Sequence, residues 1–333
     1  MTVDSQAASD SPVDIRERAP SVRGRLLVAL RILVVLGIIG GITYAAVTTW
    51  AEVKDAILSL EPLAVGVSFL LICAGIFAGV KVWHVVLYEL GSEIPYRRAA
   101  QIALVGQLGK YLPGSVWAFV LQTELSRRVG IPRARAFTAL LVSTGVTFVA
   151  ALVLAPLALP WIERPWIRLA VMLGPLSLIA LHPRVLAFLV GTALRLLRRP
   201  QPALQIRSSD VLRSLMWAYI AAILFGLSLW TLANSTATPG VSGIVRCIVG
   251  MSLAMTFGVL AFLAPSGLGV REAFIVAALS PTVSMGTALG YALVSRLLFI
   301  IADLVTAGAA VVRARLSLRN DAAAIDTDAT IVS

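Results

Sequence analysis

The chain has 333 residues, of which 59% are hydrophobic and only 14% charged, and its mean hydropathy is +0.90. Soluble domains carry about 45–50% apolar and about 25% charged residues, so this composition excludes an ordinary soluble protein and predicts an all-α polytopic membrane protein. The net charge of +11 would suit nucleic acid in a soluble chain. Here the arginines lie in short loops between apolar runs, where they set topology and meet anionic headgroups, and no nucleic-acid partner is expected.

Residues 1–25 are polar and read as a disordered cytoplasmic tail. Arg16, Arg18, Arg23 and Arg25 abut the first apolar run, Leu26–Trp50, which is too long for a signal-peptide core and reads as an uncleaved span leaving the cytoplasm. A loop without basic excess follows, and Leu63–Leu90 crosses back to Arg97 and Arg98. The next apolar segment, Ala99–Ser126, is interrupted at Pro113–Gly114 and flanked by arginine on both sides. Proline cannot continue a helix smoothly and glycine permits a sharp reversal. Each arm is far shorter than the roughly 20 residues a span needs, which predicts a re-entrant helical hairpin.

Phe137–Leu159 then crosses outward to a turn with Trp161 and Trp166, and Trp166–Ala180 returns. His182–Pro183 breaks the helix before an amphipathic interfacial stretch, Pro183–Arg199, and a strongly basic loop. Val211–Leu232 and Gly243–Ala264 form the next pair of spans. A second break occupies residues 264–272, with Pro265, Gly267 and Gly269, followed by the short apolar arm Ala273–Leu279. Met285–Val312 is the last span, ending at Arg313, Arg315 and Arg319, and residues 314–333 read as a disordered cytoplasmic tail. The expectation is a transmembrane domain over residues 26–313 with about eight spans, two broken segments of re-entrant or half-helix type, and both termini cytoplasmic. Each Pro-Gly break is followed by a short helix, a proline (Pro132, Pro281) and a span containing Val-Ser, which suggests an internal repeat. Breaks at matching places in two halves point to a transporter-like binding site.

Charges inside apolar runs are expensive and mark function, so the candidates are few. Arg271 and Glu272 follow the second break directly; adjacent helical residues point apart and need different partners. Arg271 suits bidentate contact with a phosphate and Glu272 a basic residue of the first hairpin; a structural ion pair locking the two breaks is the competing reading. Lys110, before the first break, either snorkels to the interface or approaches a headgroup. Glu124 shares a helical face with Arg127 and Arg128, as an interfacial salt bridge or a deeper charge partner. Arg296 and Asp303, two turns apart in the last span, read as cavity-facing, with Asp303 a candidate proton-coupled acid. Lys81, His84 and Glu89 share a face near one end of the second span, where snorkelling is the simpler reading. Cys73, Cys247, His84 and His182 lack ligand spacing, so neither metal nor cofactor is expected.

KYLPGSVW at 110–117, GIPRARA at 130–136 and PSGLGVREA at 265–273 together resemble the flippase-like family of the lysylphosphatidylglycerol synthase transmembrane region, over most of residues 25–315. PSGLGVRE is close to the family's Pro-Gly-Gly-Leu-Gly-x-Arg-Glu signature, with Ser266 at the first glycine. The first motif departs further: many members carry a Gly-(Asp/Glu) pair after the proline, where this chain has Val116-Trp117. The resemblance implies a bacterial-type inner-membrane protein that moves an anionic lipid, a phospholipid or a polyprenyl-phosphate lipid, between leaflets. The soluble aminoacyl transferase of the full-length synthase is not seen after the last span, so no enzyme activity is expected. The alternative is a non-transporting accessory subunit of a membrane glycosyltransferase or envelope-synthesis complex.

Overall fold

The computed structural model describes residues 50–111, 116–196, 207–237, 240–260 and 267–331. Among these the chain forms eleven α-helices and three 3-10 helices, with no strand. α1 (Trp50–Leu58) leads through a short turn into α2 (Pro62–Glu89). Pro62 opens α2, at a position where its missing N–H would have had no partner. α3 (Tyr96–Gln107) tightens into the 3-10 turn Leu108–Tyr111, and α4 (Trp117–Arg128) returns beside it. α5 (Arg133–Leu154) runs on into the 3-10 helix Ala155–Trp161. After α6 (Pro165–Met172), the 3-10 helix Gly174–Leu181 and α7 (Pro183–Leu196) come α8 (Ser208–Ala237), α9 (Gly240–Leu260), α10 (Val270–Leu279) and α11 (Met285–Ile331).

Five of these segments are long and apolar enough to cross a membrane, or six if the bent run Pro165–Leu196 counts as one. About eight were expected. The span Leu26–Trp50 lies outside the described residues except for Trp50, which begins α1. Ala273–Leu279 belongs to α10, whose ten residues extend about 15 Å, half the thickness of a bilayer core. The expected span Trp166–Ala180 is not one α-helix. Pro175 falls at the start of a 3-10 stretch, and Gly174 lies so close to α5 that an added Cβ would stand 2.1 Å from the Leu152 carbonyl oxygen. At His182 the chain turns by 89° into α7, whose buried face is Leu186, Val190 and Leu194 at intervals of four. α11 continues as helix to Ile331, through the stretch read as a tail.

α2 and α8 form the antiparallel centre of the bundle. Ser68 donates to the Ser228 carbonyl at 3.0 Å and Ser214 to the Val82 carbonyl at 3.1 Å, fourteen residues apart along each helix in opposite senses. Elsewhere hydroxyls donate to the carbonyl four residues back, as Thr147, Thr231, Ser252 and Thr306 do. Such back-bonding satisfies a hydroxyl where there is no water.

Two helical reversals enter this bundle from opposite ends. The open end of the first, α3–α4, lies with the C-terminus of α2: Arg135 donates to the Gly91 carbonyl at 2.7 Å, and His84 hydrogen-bonds the Ile94 carbonyl at 2.9 Å. The second is α9–α10. Its C-terminal arm ends beside α1 and the N-terminus of α2, where Ser284 donates to Glu52 and Gly290 of α11 lies against Ala56 and Val53. The prolines and Gly114 at the two tips, Pro113 and Pro265, lie outside the described residues, whereas Gly267 and Gly269 lie within them.

Glycine closes each reversal. A Cβ on Gly109 would stand 2.7 Å from the Ala118 nitrogen, backbone that cannot step aside. Gly267 has φ +67°, and a Cβ there would lie 2.5 Å from Cα of Gly258. Gly109→Ala is therefore expected to lower unfolding stability by about 1–3 kcal/mol, as overpacking does. Gly145→Ala, where an added Cβ meets nothing within 4 Å, is expected to leave the melting profile unchanged. Thermal denaturation of the two purified variants checks this.

Candidate functional site

Described residues of both reversals, Lys110, Tyr111 and Ala118 of the first and Gly267 and Arg271 of the second, line a cavity of about 360 Å³. α2 contributes Ile76 and Gly79 from its middle turns, α5 Thr144, Thr147 and Phe148, and α9 Met255, Thr256 and Gly258. α11 contributes Arg296, Phe299 and Asp303, eleven to eighteen residues and so about 17–27 Å from its start. The cavity thus sits within the bundle. A hollow of about 440 Å³ lies at the α1 end, lined by Glu52, Asp55, Ser284 and Thr287; it is a surface dish without a basic residue.

Three groups of side chains bind the reversals to α11. Asp303 is 2% exposed, and its Oδ2 receives Lys110 Nζ at 2.6 Å and the Tyr111 hydroxyl at 2.5 Å. Both partners stand on the 3-10 turn of the first reversal, so α11 holds that turn directly. Arg296 donates through Nη1 to Glu272 Oε1 at 2.5 Å, and Glu272 Oε2 accepts the Gly269 N–H at 2.7 Å. Gly269 has φ +86°, a conformation that glycine supplies without a Cβ penalty, and Glu272 reaches back to cap its own helix. One carboxylate therefore fixes the start of α10 and its contact with α11.

Arg271 is arranged differently. It is 7% exposed, yet among the described residues no carboxylate lies within ion-pair distance of it. Its guanidinium lies 4.1 Å from the Phe299 ring centroid, and Nη2 donates to Ser295 Oγ at 3.3 Å. Among the described residues its Nε has no hydrogen-bond partner. Thr256 Oγ1, on the same cavity wall, is also buried without a partner. A buried guanidinium is stable when its donors are matched by acceptors, so an unmatched one facing a cavity is poised for an anionic ligand.

The placements differ from the sequence expectations in two respects. Glu272 pairs with Arg296 of the last span, not with a basic residue of the first reversal, because α10 folds back against α11. Glu124 does not line the cavity. It lies at the arginine-rich end, accepting from Arg127 and Arg133 at 2.7 Å each, and the hydrogen bonds from Arg127 and then Arg133 hold its carboxyl down at about 2. Arg296 and Asp303 line the cavity from one face of α11 without touching each other, as their spacing of two turns implies, and each is taken by a different reversal. Lys81 lies over the Tyr96 ring at 4.2 Å, and His84 is tied to the Ile94 carbonyl. Among the described residues no three His, Cys, Asp or Glu side chains gather as metal ligands would.

Sequence reasoning passed over Phe299, Ser295 and the Tyr111 hydroxyl. Ser295, Phe299 and Asp303 recur at intervals of four, which places them on one stripe of α11. That stripe was the available signal.

A search of curated proteins finds no match to the chain. The model of one protein family, described as the lysylphosphatidylglycerol synthase TM region, matches residues 28–306, from the first apolar run to just past Asp303. With the match covering most of the chain and all of the described cavity, the protein belongs to the lysylphosphatidylglycerol synthase transmembrane-region family, whose membrane proteins are tied to lipid metabolism or transport.

Proposed function

We propose that the cavity binds the phosphate of an anionic lipid and that the protein carries this headgroup between leaflets while the tails stay in the bilayer. The observation that carries the reading is Arg271, a buried guanidinium that among the described residues has a free Nε and no carboxylate partner, facing a cavity lined by both reversals. An anion moving through hydrocarbon alone bears the full penalty of lost hydration, and a fixed cation at mid-depth offsets it. Lys110 and Arg296 stand within reach as further cations, each held by a carboxylate until a ligand arrives. In this reading the arginine-rich end faces the cytoplasm of a bacterial-type inner membrane, as the bias of basic residues to that side dictates. The chain acts as a carrier and performs no covalent chemistry.

Photolabelling tests the binding step. A phosphatidylglycerol with a diazirine near the glycerol is expected to label α3–α4, α10 and α11 around the cavity, and Arg271→Met to reduce that labelling at least tenfold. Labelling confined to the outer, lipid-facing surface of the helices, and indifferent to Arg271, contradicts the reading.

A further inference from the structure

Among the described residues four charged side chains line the cavity, Lys110, Arg271, Arg296 and Asp303, and a fifth, Glu272, is paired with Arg296. Two cations are closed into ion pairs of 2.6 Å and 2.5 Å. The sum is one positive charge, and it belongs to Arg271. The count is of the described residues; Leu112–Ser115 and residues 261–266, which separate the arms of the two reversals, contain no ionisable residue. The rest of the polar wall is neutral, made of Gln107, Tyr111, Gln122, Thr144, Thr147 and Thr256.

Resting on the lipid-headgroup reading above, we infer that the cavity takes a singly charged phosphodiester headgroup and rejects a diphosphate, and that Asp303 sets this charge limit by holding Lys110. One negative charge meets Arg271 and leaves both pairs intact. A second or third negative charge has to draw Lys110 away. That strands a carboxylate that is 2% exposed, with only the Tyr111 hydroxyl to share it, and an uncompensated buried charge is strongly unfavourable. Drawing Arg296 away strands Glu272 in the same way, with the Gly269 N–H left to share its charge. These neutral hydrogen-bonding side chains suit hydroxyl groups attached beyond the phosphate. Such phosphodiesters come from two sources, glycerophospholipids and polyprenyl monophosphoryl sugars. The charge count does not separate them.

The test compares binding to the purified full-length protein in detergent. The probes are fluorescent phosphatidylglycerol, a polyprenyl monophosphoryl sugar and a polyprenyl diphosphate, each read by anisotropy. For the wild type, at least one phosphodiester is expected to bind tenfold or more tightly than the diphosphate, and whichever it is names the source. Asp303→Asn frees Lys110, raises the cavity to two positive charges and is expected to bring the ratio to parity or reverse it. The double variant Lys110→Gln/Asp303→Asn returns the sum to one and is expected to restore the wild-type preference, which mere damage to the fold would not do. Wild-type protein binding the diphosphate as well as the phosphodiesters overturns the charge limit. So does a ratio that stays fixed in Asp303→Asn, or a double variant that behaves like that single one. Binding of none of the three probes is a different result, and it overturns the headgroup reading itself.

Discussion

Replacing Arg271 by methionine is expected to make the protein more stable and unable to capture its lipid. The variant keeps both ion pairs and brings the five-residue cluster to zero net charge. It also removes a buried cation whose Nε is unmatched. Removing a buried charge that lacks a partner relieves its desolvation cost, so the exchange is neutral to stabilising. Loss of the charge-assisted bonds to a phosphate acts the other way on affinity, by about 3 kcal/mol or roughly a hundredfold. Melting temperature and lipid affinity measured on the same preparation check both halves. The competing reading, in which Arg271 is part of a structural ion pair between the two breaks, predicts that the variant melts lower. The two accounts therefore differ in the sign of one number.

The second large effect lies one residue further on. Glu272→Ala leaves Arg296 unpaired at 18% side-chain exposure and strips the cap from the Gly269 N–H. Breaking a buried pair by removing one partner costs about 3–5 kcal/mol. Glu272→Ala is therefore expected to unfold well below the wild type. Removing both partners, as in Glu272→Ala/Arg296→Met, leaves no stranded charge and is expected to recover much of that loss, a coupling that a double-mutant cycle measures directly. If the double variant were as unstable as the sum of the two single ones, Glu272 and Arg296 would not be acting as a pair.

These neighbours show what could be read from the sequence. The long helices were legible because α2, α5, α8, α9 and α11 are apolar for whole bilayer thicknesses, and composition alone decides such segments. The reversal at α3–α4 was legible because Pro113–Gly114 splits an apolar run into arms too short to cross. The charges worth attention were also legible: an arginine or aspartate inside an apolar helix, such as Arg296 or Asp303, is rare enough to single itself out.

Which charge meets which was not legible. Lys110 and Asp303 are 193 positions apart, and their meeting depends on the first reversal entering from one end to reach a point two-thirds along the apolar part of α11. Glu272 was expected to reach across to the other reversal. The fold-back of α10 presents Arg296 first. Glu124 looked deep because apolar residues precede it, but α4 ends four residues later at the arginine-rich surface. The run from Trp166 has the hydropathy of a span, but Gly174–Pro175 turns it from a straight α-helix into two short pieces, and hydropathy carries no information about that.

The central claim is that this cavity carries a lipid headgroup across the bilayer. Leaflet exchange in proteoliposomes tests it most directly, with a labelled phosphatidylglycerol and a labelled polyprenyl-phosphate lipid offered separately to wild type and Arg271→Met. The account predicts rapid exchange of one of them by the wild type and exchange no faster than protein-free vesicles by the variant. Folded wild-type protein that moves neither lipid, or an Arg271→Met variant that moves either as fast as wild type, would contradict it.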